Sequence, residues 1–404
     1  MIARVAYLSI HTSPLAAPGS DDAGGMNVYV HELAQVMAGR GVQVDVFTRG
    51  AAAGEVEVVP GYRVVQLASG PTGGAGDDAL AEAVGDFAEG VARWAVRHRA
   101  AYDVLHSHYW LSGWAGLLLH EVLRVPLAIS FHTLGRVKDA TRRADQAPAG
   151  LLRLAAETEV IARAGCVIAS TPVEAAQLIE HYAANPERLC VSPPGVDHGV
   201  FSPGSRSEAR AARGLAADGP LVLFVGRLQP LKGADVAVEA FARLAGSLPG
   251  CRLLVVGGPS GPQGAEEAAR LRAAVGAAGF GGRARFLPPV PHTELADYYR
   301  AADVVVVPSR SESFGLVAVE AQACGVPVVG AAVGGLAHAV ADGESGILVS
   351  GWDPGDYAAA LLRILTEPGL SARLSTGALA QAERFSWPAT ADRLLELYSG
   401  IARP

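Results

Sequence analysis

From end to end the chain alternates short apolar runs with longer stretches of helical spacing. Apolar runs bounded by Gly, Pro or polar clusters predict buried strands at 4–10, 42–48, 63–67, 104–107, 127–131 and 166–169. After Pro193-Pro194-Gly195 the pattern restarts, with runs at 221–225, 252–256, 284–287, 304–307, 326–330 and 347–349. Helical patterns fill the intervals, among them 26–40, 78–99, 234–248, 266–276 and 314–323, and a last one covers 387–398. Strands alternating with helices predict parallel sheets with helices on both faces. Two such series, split by a Pro/Gly-rich link near 193–204, predict an α/β protein of two Rossmann-like, doubly wound domains facing a cleft. The expected boundaries are 1–197 and 198–385, with 386–404 a C-terminal helix returning to the first domain. Ligands of open parallel sheets bind beyond the carboxyl ends of the strands, so chemistry is sought in those loops.

Length and composition agree with this picture. A chain of 404 residues exceeds a single core and suits two domains of roughly 200 residues. Half the residues are apolar and 18% are charged, a balance that folds rather than staying disordered. A net charge of -7 leaves no basic stripe for a nucleic-acid partner. Cys166, Cys190, Cys251 and Cys324 are scattered, which fits reduced, buried thiols in a cytoplasmic setting. The first residues read as a buried strand rather than a signal peptide, and no stretch approaches the ~18 apolar residues of a membrane span. A soluble protein without a membrane partner is expected.

Of 33 basic residues only Lys138 and Lys232 are lysines. A lysine kept against that bias points to a position needing a compact ammonium that a guanidinium cannot replace. Lys232 closes the run Val225-Gly226-Arg227-Leu228-Gln229-Pro230-Leu231-Lys232-Gly233, directly after an apolar strand. With Arg227 it suits a clamp for a diphosphate, two fixed cations at a leaving group. The plain alternative is a helix-start turn carrying solvated charges. No GxGxxG follows the first strand and there is no GxxxxGK[ST], Asp-x-Asp pair or HExxH, so a dinucleotide, P-loop or metal site is not expected.

The second candidate is Ser311-Glu312-Ser313-Phe314-Gly315-Leu316-Val317-Ala318-Val319-Glu320. A helix starting near Phe314 would put Glu320 roughly 12 Å from Glu312 along its axis. One carboxylate would then meet a sugar at the helix N-terminus and the other a ribose further down. The amides of Phe314, Gly315 and Leu316 would face hydroxyls or phosphate oxygens. Two surface glutamates are the bland reading, but the apolar residues around them imply burial and therefore partners. The third candidate is Ser20-Asp21-Asp22-Ala23-Gly24-Gly25-Met26-Asn27, where paired glycines let backbone approach a phosphate before a helix begins. His106 and His108 alternate at a strand end, with no third metal ligand evident.

These runs carry a resemblance. The spacing E-x7-E and the run G-R-L-x-P-x-K-G are similar to the sugar-donor motifs of glycosyltransferase family 4, retaining enzymes of GT-B fold. Further runs are His11-Thr12-Ser13-Pro14-Leu15, Asp22 to Val30, His106 to Gly113, Gly257 to Pro262 and Glu312 to Ala323. Together they resemble the branch of inositol-phosphate glycosyltransferases of mycothiol biosynthesis, over nearly the whole chain. The resemblance implies transfer of a sugar, N-acetylglucosamine from UDP-N-acetylglucosamine, to a hydroxyl of a cyclitol such as inositol 3-phosphate. No cofactor or metal is implied beyond the nucleotide-sugar co-substrate, and a homodimer is implied by resemblance alone. Arg227 and Lys232 would hold the diphosphate, Glu312 the sugar hydroxyls and Glu320 the ribose. Backbone around Val290 would read the uracil, Gly25 would lie against the pyrophosphate, and His132 would sit by the reacting centre. The implied acceptor positions are His11, Asp22, Ala23, Gly24, Gly25, Met26, Asn27, Tyr109, Thr133 and Arg153.

One departure stands out. The family places a lysine on the acceptor phosphate in the segment matching 70–78, where this chain has Asp77 and Asp78. An acid there replaces a charge-assisted contact by repulsion. Either Arg153, Thr133 and Lys138 carry the phosphate, or the acceptor is an unphosphorylated cyclitol, amino-cyclitol or other small polyol, or this Gly-rich loop is out of register. A membrane-associated mannosyltransferase acting on phosphoinositides and a non-catalytic nucleotide-sugar-binding regulator are the remaining readings.

Overall fold

Valine and leucine dominate the strands because branched side chains pack well on a pleated surface buried on both faces. A computed structural model describes residues 2–17, 19, 23–70, 76–144, 146–261 and 264–402, with only the backbone of Asp77 and Asp78. The chain divides into two units: Met1–Ala16, Gly25–Pro194 and Trp387–Pro404 form the first, and Ala17–Gly24 with Gly195–Ser386 the second.

The first unit holds β1 (Arg4–Ser9), β2 (Gln43–Gly50), β3 (Gly54–Val59), β4 (Tyr62–Ala68), β5 (Val104–His108), β6 (Leu127–Ser130), β7 (Cys166–Ala169) and β8 (Leu189–Val191). Their order is β3-β4-β2-β1-β5-β6-β7-β8, parallel except that β3 runs antiparallel to β4 at the edge. Apolar runs do not announce β3, because most of its residues are exposed and glutamates alternate with valines. The helical pattern at 78–99 resolves into two helices, Asp77–Ala81 and Val84–Arg97. The core is filled by Tyr7, Phe47, Phe87, Trp110 and Phe131, all fully buried. The last helix, Trp387–Ile401, belongs to this unit. It is held by Thr390 Oγ1 donating to Pro193 O (2.8 Å) and by Tyr398 Oη, 2.6 Å from His106 Nδ1.

The second unit holds β9 (Leu221–Val225), β10 (Arg252–Val256), β11 (Ala284–Leu287), β12 (Val304–Val307), β13 (Val328–Ala331) and β14 (Gly346–Val349). Their order, β11-β10-β9-β12-β13-β14, is all parallel. Both units thus reverse strand order beside their first strand, the doubly wound arrangement whose reversal point opens a crevice at the carboxyl ends. A cavity of about 190 Å³ lies at the opposite, amino-terminal ends of β9, β10 and β11. The arginines lining it hold loop carbonyls: Arg210 binds Ala217 O and Gly219 O, and Arg252 binds Asp218 O. That cavity is therefore part of the scaffold.

Replacing Tyr398 by Phe strands the buried His106 Nδ1 without its partner, and one unsatisfied buried group costs about 1–3 kcal/mol. A lowered urea midpoint with unchanged slope is the expected outcome for Tyr398→Phe.

Candidate active site

In the second unit the strand order reverses between β9 and β12, and the two loops leaving their carboxyl ends meet there. The turn after β9 ends at Gly233, whose φ of +69° suits glycine and where a Cβ would stand 2.1 Å from Pro308 O. That close approach seats the Lys232 turn against the loop after β12, and Arg310 N donates to Leu231 O (2.8 Å) across it. Arg310 also binds Asp235 Oδ2 at 3.0 Å and lies over the Trp352 ring. Within this frame Lys232 Nζ donates to Glu312 Oε2 at 2.7 Å, and Ser309 Oγ reaches the same oxygen at 3.2 Å. The two side chains are 26% and 17% exposed, so this pair is open to a ligand. Partly exposed pairs contribute about 1 kcal/mol or less to stability, so stability alone does not account for it.

Arg227 stands on the neighbouring loop, which is pinned to the turn after β10 by Leu228 N donating to Gly258 O (2.8 Å). Its Nη1 donates to Ser260 Oγ at 3.2 Å, and a Cβ on Gly24 would lie 3.5 Å from its Nε. Gly24 and the buried Ala23 belong to this second unit, in the short segment Ala17–Gly24.

The helix after β12 begins later than its apolar pattern suggests. It spans Leu316–Ala323, because Gly315 at φ +106° breaks helical geometry just before it. Phe314 is buried edge-on against Phe385. The amides of Phe314, Gly315 and Leu316 take no acceptor among the described residues, which leaves a helix N-terminus with donors to spare. Glu320 is buried, as the apolar context requires. Tyr299 Oη donates to its Oε2 at 2.7 Å, and His292 Nε2 lies 3.9 Å from its Oε1. Burial beside Glu320 raises the Tyr299 phenol well above its usual range, so it stays a donor. Val290 is half-buried in the loop after β11.

In the first unit, a second cluster gathers at the carboxyl ends of β1, β5 and β6. The rings of His11 and Tyr109 lie 5.1 Å apart. Arg153 is buried, donating from Nε to Glu157 Oε1 (2.8 Å), from Nη1 to Tyr109 Oη (3.0 Å) and from Nη2 to Thr133 O (3.1 Å) and Oγ1 (3.2 Å). Glu157 also accepts from Gly135 N and from Tyr182 Oη. Three expected acceptor residues, Tyr109, Thr133 and Arg153, therefore share one hydrogen-bonded network. Asn27 Nδ2 ties Thr12 Oγ1 (3.1 Å) and Ser13 O (2.5 Å), fixing the chain after β1. Gly25 opens the helix Gly25–Gly39 and is exposed, with Met26 half-buried beside it. Asp22 lies outside the described residues, as do 71–75 and the side chain of Asp77.

His132 follows β6 at φ +58°, a left-handed conformation uncommon for histidine. Its ring stacks on His108 at 5.3 Å, with His108 Nδ1 3.1 Å from His132 Nε2. No spacing rule links positions this far apart; the one sequence signal was the alternation of His106 and His108 at a strand end. Among the described residues no cluster of three or more His, Cys, Asp or Glu side chains is arranged to hold a metal ion.

Burial lowers the pKa of His106 and of His132 to about 3, and takes His108 well below its usual value. Their folded pKa values lie below the unfolded value near 6.5, so the unfolded chain takes up protons that the native one refuses. Their contribution is complete above pH 6.5 and declines as pH falls towards 3. The ring resonances of His106 and His132 are expected not to move between pH 8 and 5, while the denaturation midpoint drops from pH 7 to 4.

The comparisons with known proteins agree with this architecture. Residues 24–195 match the family model described as a glycosyl transferase 4-like domain, and residues 205–381 match glycosyl transferases group 1. A D-inositol 3-phosphate glycosyltransferase of Geodermatophilus obscurus is 48% identical over 99% of this chain and 90% of that protein. The protein of the same description from Mycolicibacterium smegmatis is 49% identical over 98% of this chain and 91% of its own length. Among solved structures, sucrose-phosphate synthase from Thermosynechococcus elongatus superposes with a TM-score of 0.91 at 36% identity, covering 98% of each chain. Anabaena HepE, solved with UDP and glucose, shares the fold with a TM-score of 0.79 at 20% identity, over 98% of this chain and all of that one. Among the described residues no helix is long and apolar enough to cross a membrane. Two Rossmann-like domains, matched over nearly their full length by such relatives, make the chain a glycosyltransferase of GT-B fold, and it belongs to the family of the D-inositol 3-phosphate glycosyltransferases.

Proposed function

We propose that this glycosyltransferase moves N-acetylglucosamine from UDP-N-acetylglucosamine to a hydroxyl of inositol 3-phosphate, with retention of configuration and without a metal. The observation that carries the reading is the Lys232–Glu312 pair at the strand reversal of the second unit. A diphosphate arriving there offers Lys232 a stronger partner than a lone carboxylate. Arg227 supplies a second cation, and the amides of Phe314, Gly315 and Leu316 supply neutral donors. Glu312, released from Lys232, accepts from hydroxyls of the sugar. Glu320 keeps Oε1 for the ribose while Tyr299 occupies Oε2. Backbone near Val290 reads the uracil, and Gly25 lies against the pyrophosphate.

In the reaction the bond between the anomeric carbon and the β-phosphate oxygen breaks, and its electron pair leaves with the UDP. The acceptor oxygen bonds to the same face of that carbon and gives its proton to the departing phosphate. Fixed cations stabilise charge growing on the leaving group, and each such group removed typically costs 10²–10³ in rate. The relatives' descriptions as D-inositol 3-phosphate glycosyltransferases support this acceptor. Arg153, oriented by Glu157 and bridging Tyr109 and Thr133, is the cation offered to its phosphate. His11, Ala23, Gly24, Met26 and Asn27 would line the cyclitol. Asp77 favours a second reading, an unphosphorylated cyclitol or amino-cyclitol, because an acid stands where the family has a lysine.

Lys232→Ala and Glu312→Ala are each expected to lower kcat about 100-fold or more with an unchanged denaturation midpoint. Full activity in either variant overturns the assignment. An acceptor panel read by UDP release separates the two readings: inositol 3-phosphate turns over on the first, unphosphorylated cyclitols on the second. Anionic vesicles that pull the protein down would point instead to a lipid acceptor.

A further inference from the structure

Three histidines of the first unit stack at the ends of adjacent strands, His106 and His108 on β5 and His132 just after β6. Ring centroids are 4.2 Å apart for the first pair and 5.3 Å for the second. Hydrogen positions along this stack follow from the inventory of partners. Tyr398 Oη lies 2.6 Å from His106 Nδ1, and 3.4 Å from Tyr7 Oη. His106 Nε2 lies 2.9 Å from Ser130 Oγ, so His106 is paired at both nitrogens.

His108 is not. Its Nδ1 meets His132 Nε2 at 3.1 Å, but its Nε2 is buried and takes no hydrogen-bond partner among the described residues. The Tyr7 ring, 5.3 Å away, offers at most a weak N–H···π contact. A neutral imidazole has one hydrogen to place. On Nε2 it would be a buried donor without an acceptor, a costly arrangement. On Nδ1 it makes the bond to His132 and leaves only a bare lone pair, the cheaper orphan.

We propose that His108 is a positioning residue: by donating Nδ1–H to His132 Nε2 it fixes His132 as the Nδ1–H tautomer, the form that offers a hydrogen to an oxygen of the sugar being transferred. This rests on the proposed sugar transfer and on the place by the reacting centre that the family resemblance implies for His132. Burial keeps both rings neutral, so His108 controls where the hydrogen sits rather than the charge. The strained backbone of His132 agrees with a ring held in place by its neighbours.

Asparagine can reproduce the donor at the Nδ1 position while deleting the orphaned Nε2; leucine deletes both. His108→Asn is therefore expected to keep kcat within about 3-fold, and His108→Leu to lose about 10- to 100-fold in kcat with KM for the sugar donor little changed. In the wild-type enzyme, ¹⁵N resonances should show His132 protonated at Nδ1 and bare at Nε2. A hydrogen on His132 Nε2, or equal losses in the two variants, overturns the proposal. The nitrogen spectrum is read without substrate, so it decides the tautomer even if the wild-type enzyme proves to use another sugar or acceptor.

Discussion

Beside β9 the connections of the second unit depart in opposite directions, which leaves a gap at the carboxyl ends of β9 and β12. What closes that gap is an approach of backbone to backbone that only glycine permits at 233, where a Cβ would press to 2.1 Å from Pro308 O. From this constraint the rest of the site follows. The turn after β9 delivers Lys232, the loop after β12 delivers Glu312, and the two meet at 2.7 Å. Gly315 then starts the next helix late, leaving its first amides beside that loop.

The polar groups of the two units are used differently. In the second unit the Lys232–Glu312 pair is partly exposed, contributes little to stability and can exchange partners. In the first unit Arg153 and Glu157 are buried and held by several further hydrogen bonds. Removing one member of such a pair leaves an uncompensated buried charge and costs about 3–5 kcal/mol. An exchangeable pair suits a ligand that carries its own charge; a fixed one suits the orientation of a small acceptor. The histidine stack follows the second logic, with rings kept neutral and aligned by Tyr398, Ser130 and one another.

Much of the architecture was legible because a strand buried on both faces must be a continuous apolar run, and such runs are easily seen. The exposed edge strand β3 escaped for the same reason, since it has only an alternation of Glu and Val. The break before Val84 is local backbone geometry that the helical pattern spans without a mark. Candidate chemistry showed through where composition was under tension: a rare lysine, and carboxylates inside an apolar segment. Pairings across long separations left no such trace. Nothing near Tyr398 announces His106, and nothing in either glutamate says that Glu320 would take Tyr299 while Glu312 takes Lys232.

The central claim is that Lys232 holds the diphosphate of the donor and is released from Glu312 to do so. Calorimetric titration of UDP into the wild-type enzyme and into Lys232→Ala and Glu312→Gln tests it most directly. A lost cation–phosphate contact is worth about 1.5–3 kcal/mol, so Lys232→Ala should bind UDP at least about 10-fold more weakly. Glu312→Gln should bind UDP as well as the wild type or better, because its lysine is no longer held by a carboxylate. Equal UDP affinity in the wild type and Lys232→Ala would contradict the account.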